Sequence, residues 1–166
     1  MTIEIMALRD CQQRLADYLY QLAEWHHHEW LHLNPGATLH KRLERYQQSI
    51  EADTLPEIFV AIKNKQLLGS VTLDKEDMDT RKQLTPWLAS LFVKPEFRGQ
   101  GIATRLIKFC IQHAQQRGFK NVYLFTEDQT EFYKQCGFRF IETLEYRNAE
   151  VDLMSHRLIN KTANPV

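Results

Sequence analysis

The chain has 166 residues, with 21 Lys+Arg against 21 Asp+Glu and a formal net charge of zero at pH 7. A length of this kind predicts one domain, able to bury about 68–70% of the surface its unfolded chain exposes without disulfide or metal staples. The balanced charge excludes a partner held through many phosphate contacts, so neither nucleic acid nor an anionic membrane is expected.

In chain order, Thr2 to Leu8 alternates Ile3, Ile5 and Ala7 on one side and predicts an opening strand. Asp10 is the expected cap of a helix in which Leu15, Leu19, Leu22 and Trp25 or His26 recur at helical spacing. Pro35-Gly36 ends that helix, and Thr38 is the expected N-cap of a second, with Leu39, Leu43, Tyr46 and Ile50 on one face. Ile58–Ile62 and Leu67–Leu73 read as a hairpin across Lys63–Gln66, and Asp74–Lys82 as a charged loop. Pro86-Trp87 leads into an apolar strand over 88–93, which breaks at Pro95. After Arg98-Gly99-Gln100-Gly101 comes a helix with Ile102, Ala103, Leu106, Ile107, Cys110 and Ala114 on its apolar face, stopped by Gly118. Val122–Phe125 is a further strand, Asp128 the expected cap of a helix carrying Phe132 and Tyr133, and Phe138–Leu144 and Val151–Leu158 the closing strands. One domain over residues 1–160, with 161–166 as a disordered tail, is therefore expected.

Elsewhere the chain argues mostly by exclusion. No run approaches the length of a membrane span, and Met1–Asp10 has no cationic start before a long apolar stretch, so a cytoplasmic protein is expected. Cys11, Cys110 and Cys136 are odd in number and lack metal-like spacing, which predicts reduced thiols. His28-Glu29-Trp30-Leu31-His32 matches the zinc-protease pattern, but Pro35-Gly36 ends the helix at once and Glu44, Glu51 and Asp53 offer no patterned third ligand; no metal site is expected.

The informative stretch runs from residue 88 to 109, where a strand feeds a helix through a glycine loop. The unpaired first N–H groups of such a helix and the positive end of its dipole make an anion site suited to a phosphate or pyrophosphate. A nucleotide P-loop is excluded because Ile102, not Lys, follows Gly101, and the dinucleotide fingerprint fits weakly, its third small position being Thr104. Lys94, Arg98, Arg105 and Lys108 form a local basic patch sufficient for one phosphorylated cofactor.

Arg98-x-x-Gly101-x-Ala103, with Val93-x-Pro95 upstream and Phe132-Tyr133-Lys134-Gln135-Cys136-Gly137-Phe138 downstream, resembles the signature of the GNAT superfamily of N-acetyltransferases. The resemblance implies an α/β (α+β) GNAT fold, a mixed, mostly antiparallel twisted sheet of six to seven strands flanked by about four helices. Its first two helices would wall the acceptor cleft. It further implies transfer of the acetyl group of acetyl-CoA to a primary amine, in a small molecule or a peptide N-terminus, by direct attack in a ternary complex. A homodimer is compatible with it. By that resemblance Arg98, Gly99, Gln100, Gly101, Ile102, Ala103 and Thr104 bind the pyrophosphate. Leu91, Phe92 and Val93 then pair with the pantetheine and offer a main-chain N–H to the thioester oxygen. Tyr133 takes the general-acid role: its free pKa near 10 lies above a thiol's value of about 8.5, so it carries a proton for the departing thiolate.

The base stays open among Glu24, Glu29, His26–His28, Asp77, Asp79, Glu127 and Asp128. The chain departs from many members in lacking Asn and Ala ahead of Phe132-Tyr133. Its Asp128-Gln129-x-x-Phe132-Tyr133 form looks like that of a bacterial branch and of actin-type N-terminal acetyltransferases. A non-catalytic acyl-CoA-binding sensor, a covalent route through Cys136 or Cys110, and a zinc-dependent hydrolase are the alternatives.

Overall fold

The structure, a computed structural model, describes residues 2–159; Met1 and the expected tail lie outside the described residues. Seven strands run β1 (Glu4–Ala7), β2 (Glu57–Lys63), β3 (Gln66–Asp74), β4 (Trp87–Val93), β5 (Asn121–Thr126), β6 (Arg139–Tyr146) and β7 (Ala149–Arg157). Four helices are interleaved: α1 (Leu15–Trp30), α2 (Leu39–Ala52), α3 (Ile102–Gln116) and α4 (Thr130–Gln135). The strands form one mixed sheet in the order β1-β2-β3-β4-β5-β7-β6, every neighbouring pair antiparallel except β4 and β5.

The period-two alternation of strand side chains divides the core between the two faces of the sheet. Phe59 and Ala61 of β2 join Leu68, Val71 and Leu73 of β3 under Leu106, Cys110 and Ala114 of α3. Ile58, Val60 and Leu67 look the other way, onto Tyr18, Leu22 and Tyr46 of α1 and α2. A third cluster gathers Trp87, Tyr146, Val151 and Leu153 around Met78, which is fully buried. That methionine lies inside the charged loop after β3 and fixes it to the sheet, so the loop is an ordered wall, not a solvated flap.

Local signals held in part. Thr38 caps α2, its hydroxyl accepting from Lys41 N–H at 3.2 Å. The β2–β3 hairpin turns on Asn64 and Lys65, both at positive φ, the primed turn whose twist suits a two-residue loop. Asp10 does not cap α1: a 3-10 segment, Leu8–Arg14, intervenes and α1 starts from Arg14 without a side-chain cap. Asp128 does not cap α4 either; Thr126 does the nearest equivalent, its hydroxyl accepting from Gln129 N–H at 3.0 Å. Among the described residues no helix is long and apolar enough to cross a membrane.

Candidate active site

β4 and β5 meet at one register pair, Trp87 with Tyr123, where Tyr123 N–H donates to Pro86 O at 3.0 Å. Beyond it the strands diverge, and the β4 main chain facing β5 is left without a strand partner. A cavity of about 1080 Å³ opens in the gap. On its other edge β4 carries a bulge: Phe92 pairs with Ser70 but Ala89 with Thr72, so the intervening Ser90, at φ 52°, has no partner on β3. Bulges re-aim a strand locally and are frequent beside active sites. Leu91, Phe92 and Val93 line the cavity at this bend.

The glycine loop forms one end of the cavity. Gly99 and Gly101 hold φ of 75° and 77°, a region that side chains reach only with strain, and a Cβ added to either meets nothing within 4 Å. Their requirement is thus conformational, with open space left for a ligand to approach. Gly101 is the N-cap of α3 and supplies no side-chain cap, so the first N–H groups of that helix are available at the cavity end. Arg98, Gly99, Gly101, Ile102, Ala103 and Thr104 line it, whereas Gln100 does not. Arg98 Nε donates to Val93 O at 2.8 Å, which ties the loop to β4, and Arg98 as a residue is exposed. The rest of the expected basic patch is not gathered here: Arg105 donates to Ile3 O, and Lys94 lies 5.5 Å from the Trp25 ring and pairs with Glu96.

Tyr133 reaches the cavity from α4, its ring 5.3 Å from Phe132 and 5.8 Å from Phe138. Burial, with Cys136, Asp128 and Asp77 adding to it, pushes its phenol well above the ordinary tyrosine range, so it holds its proton throughout neutral pH. Asp152 of β7 accepts from Thr130, the first residue of α4, at 2.5 Å and from Thr143 at 2.7 Å, which pins the short helix to the sheet.

The wider end of the cavity separates the candidate bases by environment. Asp79 accepts from Arg147 at 2.9 Å, which holds its carboxyl below the ordinary value, and Glu127 is paired with His32 at 2.8 Å. Glu29 and Asp128 are exposed at the rim. His26 is buried between Tyr46 and Ser70 and held neutral, its pKa lowered to about 3 by burial and by Arg42. Glu24, His27 and His28 do not line the cavity. Asp77 differs from all of these. It lies on the loop anchored by Met78, has no ion-pair partner among the described residues, and has a pKa raised to about 7. Burial is the main cause and Asp74 adds to it, against the opposing pull of Arg45, Arg147 and Arg42.

The zinc pattern is not assembled. α1 ends at Trp30, His32 sits in the following 3-10 turn against Glu127, and among the described residues no three His, Cys, Asp or Glu side chains gather as a metal site. Cys110 is buried in the core and Cys136 stands outside the cavity lining, both thiols raised by burial. Sequence reading missed Arg42, Arg45, Thr72, Asp74 and Arg147, all of which line the cavity. One signal was available: Ser70, Thr72 and Asp74 put three polar side chains in alternation on a strand otherwise apolar, which on a buried sheet face marks a polar site.

A family model described as Acetyltransferase (GNAT) family matches residues 19–138, a span running from α1 to the end of the Phe132–Phe138 segment. Among curated proteins, N-alpha-acetyltransferase 30 of Schizosaccharomyces pombe is 36% identical over 84 residues, covering 48% of this chain and 55% of its own. The chain spans about half the length of the curated relatives it matches. Among solved structures, a spermidine N-acetyltransferase from Vibrio cholerae in complex with CoA and spermine superposes with a TM-score of 0.68 at 19% identity, covering 93% of this chain and 95% of that one. An acetyltransferase from Salmonella typhimurium with acetyl-CoA gives 0.67 at 17% identity, covering 98% and 96%. The structural matches speak for the fold, and with a family model spanning most of the sequence the chain belongs to the GNAT acetyltransferase family.

Proposed function

We propose that the protein transfers an acetyl group from acetyl-CoA to a primary amine by direct attack in a ternary complex. The observation that carries this reading is the cavity between the diverging β4 and β5, which joins a glycine-loop anion site to a carboxyl titrating near neutrality. Related structures that hold CoA or acetyl-CoA support the choice of co-substrate. The N–H groups at the start of α3, with Arg98, would hold its pyrophosphate, and the unpaired main chain of Leu91–Val93 its pantetheine. When bound, acetyl-CoA supplies the acetyl group as a thioester.

The protein's own groups do the rest. An alkyl ammonium has a pKa near 10.4 and is inert until it loses a proton. The Asp77 carboxylate accepts that proton, and its pKa of about 7 makes it a far better acceptor than an ordinary aspartate. A main-chain N–H at the β4 bulge donates to the carbonyl oxygen as charge develops there, an interaction typically worth about 10²–10³ in rate. The C–N bond forms, the C–S bond breaks, and the proton shed by the acylated nitrogen passes to the sulfur through the Tyr133 hydroxyl. The Tyr133 phenol is a weaker acid than a thiol, more so once buried, so its role is to hold an O–H hydrogen bond on the sulfur as negative charge collects.

A thiol-release assay with acetyl-CoA and a panel of primary amines tests the reading. Release that depends on the amine, and falls about 10²-fold in Tyr133→Phe and in Asp77→Asn, is expected. Tight acetyl-CoA binding without release for any amine would favour the sensor alternative, and acetylated protein accumulating before acceptor is added would favour the covalent one.

A further inference from the structure

The acceptor end of the cavity contains two polar atoms that are shielded from solvent and have no hydrogen-bond partner, Arg42 Nε and Thr72 Oγ1. Leaving a buried donor unmade is expensive, and such atoms in a native protein call for a ligand or an ordered water. Arg42 belongs to α2 and Thr72 to β3, and both line the cavity. Thr72, 2% exposed, lies between Ser70 and Asp74 on one face of β3. Ser70 is joined to α2 through His26 and Tyr46, and Asp74 directly through Arg45 at 2.6 Å.

Arg42 is not free to swing away. Its Nη1 donates to the Tyr46 oxygen at 3.2 Å, which leaves the Tyr46 hydroxyl proton for His26 Nδ1 at 2.8 Å and the His26 Nε2 proton for Ser70 Oγ at 2.9 Å. A buried, neutral imidazole thus locks the guanidinium through a chain of three hydrogen bonds. The neighbouring ionisable groups already have partners: Arg45 with Asp74, Arg147 with Asp79, and Glu127 with the His32 ring. Among the described residues that line this end away from the exposed rim, one cation and one carboxyl have no ion-pair partner, Arg42 and Asp77, and each lies within electrostatic reach of the other.

We infer that the acceptor is an amino carboxylate, whose carboxylate receives hydrogen bonds from Arg42 Nε and Thr72 Oγ1 while its amine lies toward Asp77. The guanidinium can only donate and the hydroxyl can donate as well as accept, so an anionic oxygen is the group that satisfies both atoms and the charge together. A polyamine would bring a second cation to Arg42, and an internal peptide carbonyl would satisfy its hydrogen bond but not its charge. This inference rests on the acetyl-transfer reading above.

The test is thiol release from acetyl-CoA with free α-, β- and γ-amino acids, each compared with its carboxamide, and with spermidine and a tetrapeptide. At least one free amino acid is expected to exceed its amide in kcat/KM by about 10–100-fold, the worth of one charge-assisted hydrogen bond in a shielded site. Arg42→Gln should erase that ratio by lowering the acid's kcat/KM alone, and Thr72→Val should reduce it in part. An unchanged acetyl-CoA affinity in calorimetry reports that the variants are folded. Preference for amides, spermidine or the tetrapeptide, or an acid preference that survives Arg42→Gln, overturns the inference and leaves acetyl transfer standing. Release with none of the amines overturns both.

Discussion

The carboxyl of Asp77 has its pKa raised by burial and by Asp74, and this has consequences for rate and for stability. As the proposed base it would work only when ionised, so the acceptor kcat/KM should rise with pH through a step centred near 7, on top of the later rise from the amine itself. Asp77→Asn should remove the lower step and leave the amine's. For stability the sign is the reverse of a salt-bridged aspartate. The folded state binds the proton more tightly than the unfolded state, whose value is near 3.8, so stability is lost as pH rises from about 4 to about 7. Asp77→Asn should therefore melt a few degrees higher than the parent at pH 8 and nearly equal to it at pH 4. A variant that melts lower at pH 8 would show that the carboxylate is compensated in a way the structure does not contain.

Elements place these residues, and their anchoring was unevenly legible in the sequence. The α3 loop could be read because Gly99 and Gly101 are required by local backbone geometry, a property of the residues themselves. Gly101→Val should force a left-handed conformation that costs about 1–2 kcal/mol per residue and raise the acetyl-CoA Kd at least about tenfold. The acceptor wall could not be read, because it is a product of long-range packing. Met78 anchors the charged loop through its cluster with Trp87, Tyr146, Val151 and Leu153, most of them distant in sequence, and Arg42 meets its hydrogen-bond chain only when α1, α2 and β3 are packed together. The same holds for the failed caps: Asp10 has the right chemistry for a helix start, but the kink at Gln12, φ 42°, delays α1 to Leu15. Replacing His26, the pivot of that packing, should be severe. His26→Leu leaves Tyr46 and Ser70 without their imidazole partner and should lower the melting temperature by roughly 2–12 °C, at about 1–3 kcal/mol for an unsatisfied buried group and about 2–4 °C per kcal/mol in a domain of this size.

Over the whole molecule, the two faces of one sheet do different work. The α3 face is an apolar core, interrupted by a buried Glu57 that is matched by His113 at 2.6 Å and Arg117 at 3.0 Å. The α1–α2 face begins apolar near β1 and turns polar along β3 as it approaches the cavity. A mixed, mostly antiparallel sheet was implied by the resemblance, whereas the divergence of β4 from β5 depends on where pairing stops after Trp87 and Tyr123, which periodicity does not encode. His26 adds a global acid sensitivity. Held neutral with a pKa of about 3 against an unfolded value near 6.5, it contributes stability that is lost as pH falls below about 6.5. A profile of melting temperature against pH should show that acid limb, and His26→Leu should flatten it.

Acetyl transfer as proposed requires the gap between β4 and β5, closed at one end by the glycine loop, to be an acetyl-CoA site. Calorimetric titration of the purified protein with acetyl-CoA, with NADH as a comparator, tests it most directly. One acetyl-CoA per chain is expected, with binding weakened at least about tenfold in Gly101→Val and no comparable heat with NADH. Failure of acetyl-CoA to bind, or binding indifferent to Gly101→Val, would contradict it.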